Sequence, residues 1–228
     1  MIDTIIFDCE GVVADTEYIW DLGQREFLRR RGCVYDRQKI KPLVTGKTLL
    51  EGVRILKGEF GFSGNPEKLA LERKKIVSDL LDEKVEFIDG FNDFFSRVRV
   101  AYKTCIATSM DEDLLEIVDR QLGLSELFEG KIFSLAKVGY NSKPDPKIFL
   151  YAAQQLGSVH ENCLVIEDSP YGVEAAKRAG MKCIGLTTTY DRDMLRRADL
   201  VVESYSEIDL GNLNDESSSF TNKLRGST

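Results

Sequence analysis

Histidine is almost absent from this chain, because His160 is the only one among 228 residues. A thiol nucleophile needs a histidine partner, so Cys9 is not expected to act as one. The five cysteines are odd in number and contain no C-x-x-C spacing. We therefore interpret them as reduced thiols of a cytosolic protein, and not as a zinc site or as disulfides.

Long apolar runs and an excess of basic charge are also missing. No stretch approaches the roughly 18 to 20 apolar residues of a membrane span, and the first residues lack the basic flank of a signal peptide. The net charge of −7 argues against binding to a nucleic-acid backbone. We expect a cytoplasmic, globular protein without a membrane or nucleic-acid partner, in which any phosphate ligand is held by a local positive cluster or a metal.

Six short apolar runs have the length and composition of strands that are buried on both faces. They cover residues 4–7, 104–107, 131–134, 163–166, 183–186 and 200–202. Between the later runs, apolar residues recur at helical spacing, and three of these patterns end at Gly123, Gly157 and Gly180. This alternation predicts an α/β fold with a doubly wound parallel sheet.

The stretch from 15 to 85 interrupts the alternation, because its pattern is largely helical. A helical insert after the first strand predicts a cap domain. We therefore divide the chain into an α/β core of residues 1–14 and 86–210 and a helical cap of residues 15–85. Residues 211–228 are rich in Ser and Asn and are predicted to form a disordered tail.

Polar residues whose side chains could bind a ligand or take part in catalysis follow four of the predicted strands. Ligands of an open parallel sheet bind beyond the carboxyl ends of its strands, so these residues are expected to meet at one edge. They are Asp8 and Glu10 after the first strand, Thr108 and Ser109 after the second, Lys143 beyond the third, and Glu167 and Asp168 after the fourth. Packing alone does not require such a cluster.

These residue types suit the cleavage of a phosphate ester with the help of a divalent metal. Carboxylates such as those of Asp8 and Asp168 are the hard oxygen ligands that Mg²⁺ takes, while Glu167 either binds the metal or orients a neighbour. A metal beside Asp8 screens the repulsion between that carboxylate and a phosphate, so that Asp8 can attack phosphorus. Lys143 and Thr108 supply a positive charge and a hydroxyl donor for the phosphoryl oxygens.

The order of these residues resembles the motifs of the haloacid dehalogenase superfamily, as far as about residue 205. Asp8-Cys9-Glu10-Gly11 resembles the first motif, Thr108 the hydroxyl of the second, Lys143 in Lys-Pro-Asp-Pro the lysine of the third, and Glu167-Asp168-Ser169 the metal-binding fourth. The helical insert is similar to the cap of the β-phosphoglucomutase-like branch, which includes sugar-phosphate phosphatases.

The resemblance implies a Mg²⁺-dependent phosphatase that acts on a small phosphomonoester, such as a sugar phosphate, through an aspartyl-phosphate. It implies that Asp8 is the nucleophile and that Glu10 is the general acid and base, with its backbone carbonyl on the metal. The phosphoryl group would be held by Thr108, Ser109 and Lys143.

The remaining implied roles concern the metal and the cap. The metal ligands implied are Asp8, Glu10, Asp168 and, in one of two interpretations, Glu167. Lys47 falls where such caps place a substrate-specificity loop, and it is either a substrate contact or an exposed lysine. The usual state of this branch is a monomer.

Glu10 departs from the family pattern, in which an Asp occupies this position. The added methylene displaces the proton donor by more than an ångström, and misplacement of that order can cost roughly 10²-fold in rate. One alternative is therefore a phosphate-binding protein with impaired catalysis. Another is a phosphosugar mutase, for which the family expects a histidine in the cap, where this chain has none.

Overall fold

The computed structural model describes residues 1–45, 47–209 and 211. Its strands are Thr4–Phe7 (β1), Ala14–Asp15 (β2), Glu86–Phe87 (β3), Lys103–Thr108 (β4), Ile132–Ser134 (β5), Cys163–Glu167 (β6), Lys182–Leu186 (β7) and Leu200–Val202 (β8). Six of them form a parallel sheet in the order β5-β4-β1-β6-β7-β8. The predicted α/β fold and its six parallel strands are therefore confirmed, although the edge strands β5 and β8 are only partly buried.

The α-helices lie between these strands. They are Glu17–Arg29 (α1), Arg37–Val44 (α2), Leu49–Phe60 (α3), Pro66–Glu83 (α4), Phe91–Val98 (α5), Glu112–Leu122 (α6), Leu124–Leu127 (α7), Lys147–Gln155 (α8) and Pro170–Arg178 (α9). Among the residues that the structure describes, no helix combines the length and the apolar character needed to cross a membrane.

The sheet is covered by helices on both faces, because side chains alternate along each buried strand. On β1, Ile5 and Phe7 join an apolar cluster with α5 and α6, whereas Ile6 joins the cluster with α8 and α9. The Phe7 ring contacts those of Phe91 and Phe128, each with a centroid distance of 5.8 Å. This packing fixes β1 at the centre of the fold.

Helices α1 to α4 form a separate layer between β2 and β3. They enclose a small apolar core of their own, made by Phe27, Leu28, Ile40, Val53, Leu56, Leu69 and Ile76. The chain leaves and re-enters the sheet region through an antiparallel pair in which Ala14 lies opposite Phe87. We keep the division into core and cap at residues 15 and 85 as a proposal. The predicted tail of 211–228 lies, apart from Gly211, outside the described residues.

Local sequence signals fix the helix ends that border the carboxyl edge of the sheet. Helix α6 begins after Asp111, whose side chain accepts a hydrogen bond from the backbone of Asp113, and it ends at Gly123 with φ of 67°. Helix α9 begins after Ser169, whose hydroxyl accepts from the backbone N–H of Gly172. These are ordinary N-caps and a glycine C-cap, and they hold the strand ends in place.

Candidate active site

Asp8 is the first residue after the central strand β1. Its backbone N–H donates to the carbonyl of Ile166 at 3.0 Å, which ties it to the neighbouring strand β6. The ammonium of Lys143 donates to Asp8 Oδ1 and to Glu167 Oε1, both at 2.6 Å. All three side chains are buried. The structure therefore brings together the residues that the sequence placed at three different strand ends.

Glu167 is the last residue of β6, and both of its carboxylate oxygens have partners. Oε1 accepts from Lys143, while Oε2 accepts from the backbone N–H groups of Asp168 and Ser169 and from the Ser169 hydroxyl, each at 2.9 Å. A carboxylate held in this way is an orienting group for the ammonium. The geometry thus favours the interpretation in which Glu167 orients a neighbour over the one in which it binds the metal.

Asp8, Glu167 and Asp168 form a buried carboxylate cluster in which one oxygen of each lies within 4.8 Å of the others. Burial and the neighbouring carboxylates raise the pKa of Asp8, although Lys143 opposes this, and they raise the pKa of Asp168 well above its ordinary value. Burial alone would lower the pKa of Lys143, but its two carboxylates outweigh burial and raise it. With all three carboxyls ionised, as metal binding requires, the ammonium of Lys143 would leave two negative charges uncompensated. The donor set and its charge therefore fit a divalent cation such as Mg²⁺.

Two glycines leave room for these carboxylates. Gly11 has φ of +69°, and a Cβ there would lie 2.0 Å from Asp168 Oδ2. At Gly172 a Cβ would lie 1.7 Å from Glu167 Oε1. Neither position can carry a side chain without displacing the cluster.

Thr108 is the last residue of the neighbouring strand β4, and Ser109 follows it. Phe7 of β1 lies opposite Ile106, so Thr108 and Asp8 reach the same edge of the sheet. The buried Thr108 Oγ1 accepts from the backbone N–H of Met110 at 3.0 Å, which leaves its proton free for a ligand. Ser109 Oγ is buried and has no hydrogen-bond partner among the described residues. Both hydroxyls suit an oxygen-rich ligand.

Comparison with known proteins decides the family. The sequence model of the haloacid dehalogenase-like hydrolases matches residues 2–180. The chain belongs to the haloacid dehalogenase-like hydrolase family. The resemblance inferred from the four motifs is confirmed, whereas the roles of individual residues stay predictions.

Two curated proteins and one solved structure illustrate how similar this hydrolase is to its relatives. It is 30% identical over 186 residues to a phosphorylated carbohydrates phosphatase of Thermotoga maritima, covering 80% of this chain and 83% of the relative. It is 29% identical over 222 residues to a β-phosphoglucomutase of Bacillus subtilis, covering 93% and 94%. A haloacid dehalogenase-like protein of Agrobacterium tumefaciens superposes with a TM-score of 0.78 and 29% identity, covering 90% and 95%.

Glu10 of the hydrolase connects the sheet edge to the cap. Its Oε1 accepts a hydrogen bond from the indole N–H of Trp20 on α1. Burial, followed by the charge of Asp8, raises the pKa of Glu10 to about 8. The longer side chain of Glu10 therefore has a hydrogen-bond partner in Trp20. The contact of its backbone carbonyl with a metal stays a prediction.

A cavity of about 220 Å³ lies between the cap and the sheet edge of the hydrolase, and we call it the cap cavity. Glu10 and Ser109 line it from the core, and Lys47 lines it from the cap. Lys47 is exposed, with its ammonium 5.6 Å from the centroid of the Tyr171 ring. Lys47 is thus placed where a ligand in the cavity would pass, and its substrate contact stays a prediction.

Several residues at the site had no role predicted from the sequence. Thr188 and Tyr190 follow β7, which corresponds to the fifth apolar run of the sequence. A search of the residues after every predicted strand would therefore have found them. The Thr188 hydroxyl donates to the carbonyl of Gly11, and the Tyr190 hydroxyl donates to Thr45 Oγ1 in the cap. The cap residues Trp20, Gln24 and Arg73, which line the cavity, lie on helices and had no such signal.

Proposed function

We propose that this hydrolase is a Mg²⁺-dependent phosphatase that cleaves a small phosphomonoester, such as a sugar phosphate. The observation that carries the proposal is the buried contact of Asp8 with Lys143 beside the carboxylates of Glu167 and Asp168. A nucleophile, a phosphate-binding cation and a metal-binding set are the groups that phosphoryl transfer requires. The sequence-based expectations of a cytoplasmic monomer belong to the same proposal.

The proposed reaction has two steps, both at phosphorus. In the first, a carboxylate oxygen of Asp8 forms a bond to phosphorus while the ester P–O bond breaks, and Glu10 gives its proton to the departing alkoxide. In the second, Glu10 takes a proton from water, whose oxygen attacks the acyl-phosphate and releases phosphate and Asp8.

The other residues hold the phosphoryl group and the metal. Lys143 and the hydroxyls of Thr108 and Ser109 would bind the phosphoryl oxygens. Mg²⁺ would be held by Asp8, Asp168 and the backbone carbonyl of Glu10, and it would neutralise charge on the phosphoryl group. Glu167 keeps the ammonium of Lys143 in position through its own hydrogen bonds.

Two observations favour this proposal over the alternatives. The hydrogen bond from Trp20 gives the Glu10 carboxyl a fixed position, which supports a working proton donor over a decayed site. His160 lies in a turn before β6, at the opposite end of that strand from Glu167, so it cannot serve a mutase as a cap histidine. The phosphatase of Thermotoga maritima named above agrees with hydrolysis, although the relatives also include a mutase.

The test is phosphate release from p-nitrophenyl phosphate and a panel of sugar phosphates, with Mg²⁺ and after its removal by a chelator. We expect turnover that requires Mg²⁺ and is abolished by Asp8→Asn. Asp193→Asn changes an exposed carboxylate and serves as the matched control. No turnover of any phosphate would contradict the proposal, and activity that depends on a sugar bisphosphate with little net phosphate release would favour the mutase.

A further inference from the structure

Two buried side chains of the cap cavity have polar atoms without partners. Gln24 on α1 is 3% exposed, and Arg73 on α4 is 7% exposed. Neither amide atom of Gln24 nor the Nε of Arg73 has a hydrogen-bond partner within the described part of the chain. Buried polar groups of folded proteins are nearly always hydrogen-bonded, so atoms of this kind facing a cavity indicate that a ligand completes them.

None of the acidic residues that line the cap cavity forms an ion pair with Arg73. Each of them is bonded elsewhere: Glu17 to Lys41, Asp21 to Arg37, Asp111 to Lys74, and Glu112 to the hydroxyl of Ser134. Glu10 is bonded to Trp20. No carboxylate of the described residues forms an ion pair with the Arg73 guanidinium. Burial lowers the pKa of Arg73 to about 10, so it is still charged at neutral pH.

The surroundings of Arg73 are shaped to hold a guanidinium. A Cβ at Gly52, in the first turn of α3, would lie 2.9 Å from Arg73 Nη1, so a larger residue there would push the group away. The guanidinium carbon lies 5.4 Å from the centroid of the Trp20 ring. The same indole binds Glu10, which lies two residues from Asp8. Arg73 is therefore placed for a part of the substrate that is remote from the phosphoryl group being cleaved.

We propose that Arg73 and Gln24 bind a second anionic group of the substrate, a carboxylate or a second phosphate. The planar guanidinium matches the paired oxygens of either group, and the amide of Gln24 can both donate to it and accept from a neighbouring hydroxyl. The substrate class is then a phosphorylated sugar acid or a sugar bisphosphate, and not a neutral sugar phosphate. This inference rests on the proposed phosphatase function.

The experiment compares compounds that differ only in the remote group. The pairs are 6-phosphogluconate with glucitol 6-phosphate, 4-phosphoerythronate with erythritol 4-phosphate, and fructose 1,6-bisphosphate with fructose 6-phosphate. The value of kcat/KM should be at least about tenfold higher for the anionic member of one pair, because a hydrogen bond to a charged group is worth that much or more. A preference within a sugar-acid pair would identify the remote group as a carboxylate, and a preference within the fructose pair would identify it as a phosphate. The two sugar-acid pairs differ in chain length, so comparing them measures the distance between the cleaved phosphate and the anion site.

Variants connect this preference to the two residues. Arg73→Gln should remove the difference within the responding pair, whereas Arg73→Lys should keep part of the difference. Arg54→Gln is the matched control, because Arg54 is an exposed arginine on α3 outside the cavity. Gln24→Leu is the second variant, of similar size, and it should lower the preference without loss of folding as judged by circular dichroism.

Binding separates this inference from the proposed function. Calorimetry on Asp8→Asn, which cannot turn over, should show the anionic member binding at least about tenfold more tightly than its neutral partner. Tight, Arg73-dependent binding without turnover by the unmodified chain would refute the phosphatase while supporting the anion site. Equal affinity and equal kcat/KM within every pair, unchanged in Arg73→Gln and Gln24→Leu, would overturn the inference.

Discussion

The carboxyl edge of the sheet and the cap cavity both contain buried charged side chains, but the two regions differ in the partners that these side chains have. At the sheet edge, Lys143 bridges Asp8 and Glu167, and Glu167 also accepts three hydrogen bonds from the loop after β6. In the cavity, Arg73 and Gln24 have polar atoms with no partner among the residues that the structure describes. Under the proposed function, the side chains of Asp8 and Lys143 are held in position by protein contacts before substrate binds, whereas Arg73 and Gln24 would gain partners only from the substrate.

This difference has a kinetic consequence. A change at the sheet edge should lower turnover of all substrates together, because each shares the same phosphoryl group. A change in the cap cavity should instead alter the order of preference among substrates, because only some of them reach it.

The largest expected effect is that of Lys143→Met. It removes the cation between two buried carboxylates, so we expect kcat to fall by about 10³-fold on every substrate. The unpaired carboxylates should also lower the free energy of unfolding by about 3 to 5 kcal/mol. Lys147→Met is the control, because Lys147 is a half-exposed lysine four residues away. Steady-state kinetics and urea unfolding measure the two effects. If kcat fell by different factors on different substrates, the sheet edge would not act on all substrates alike, and the distinction between the two regions would be wrong.

Gly172→Ala should have the next largest effect. Its Cβ would overlap the Glu167 carboxylate, and Glu167 positions Lys143, so a displacement of about 1 Å would cost roughly 10²-fold in kcat. Gly58→Ala provides the control, since a Cβ at that helical glycine meets nothing within 4 Å. A variant with unchanged kcat on p-nitrophenyl phosphate would show that Glu167 is not needed to orient the ammonium.

Glu10→Asp tests the boundary between the two regions. The shorter carboxyl cannot keep its hydrogen bond to Trp20, so we expect kcat to fall about tenfold on all substrates. Trp20→Phe should cost a similar factor in the unmodified chain and very little in the Glu10→Asp background, which a double-mutant cycle measures. A steep rise of turnover in Glu10→Asp would instead support the interpretation of impaired catalysis.

The smallest expected effect belongs to Tyr190→Phe. Its hydroxyl donates to Thr45, which joins the loop after β7 to the cap. Loss of one hydrogen bond of this type costs about 0.5 to 1.5 kcal/mol, so KM should rise a few-fold with kcat nearly constant. Tyr151→Phe, a ring that packs on Phe133, should change neither parameter. A fall in kcat without a change in KM would contradict a role in cap placement.

The residues at the sheet edge could be predicted because a strand-end rule connects sequence position to place. Asp8, Thr108 and Asp168 each stand at the end of a short buried run, and parallel pairing brings those ends together. The family comparison and the sheet confirm the fold, and the geometry is consistent with the proposed roles. The same rule applied to the end of β7 would also have found Thr188 and Tyr190.

The cavity residues could not be predicted, because their place depends on how helices pack. Gln24 and Arg73 are separated by almost fifty positions in the chain and line the same cavity only because α1 packs against α4. A lone arginine or glutamine in a helical pattern usually faces solvent, so its burial gives no signal in the sequence. For the same reason, the partner that Trp20 provides for Glu10 becomes evident only in three dimensions.

The central position of β1 also bears on how the chain folds as it is made. This strand pairs with β4, about a hundred residues later, and with β6, about a hundred and sixty residues later. At typical ribosomal speeds of about 5 to 20 residues per second, the apolar β1 waits roughly 8 to 32 seconds for its second neighbour. During that interval Ile5, Ile6 and Phe7 are open to other contacts. Expression at lower temperature, or with a chaperone that binds short apolar segments, should therefore raise the yield of folded protein.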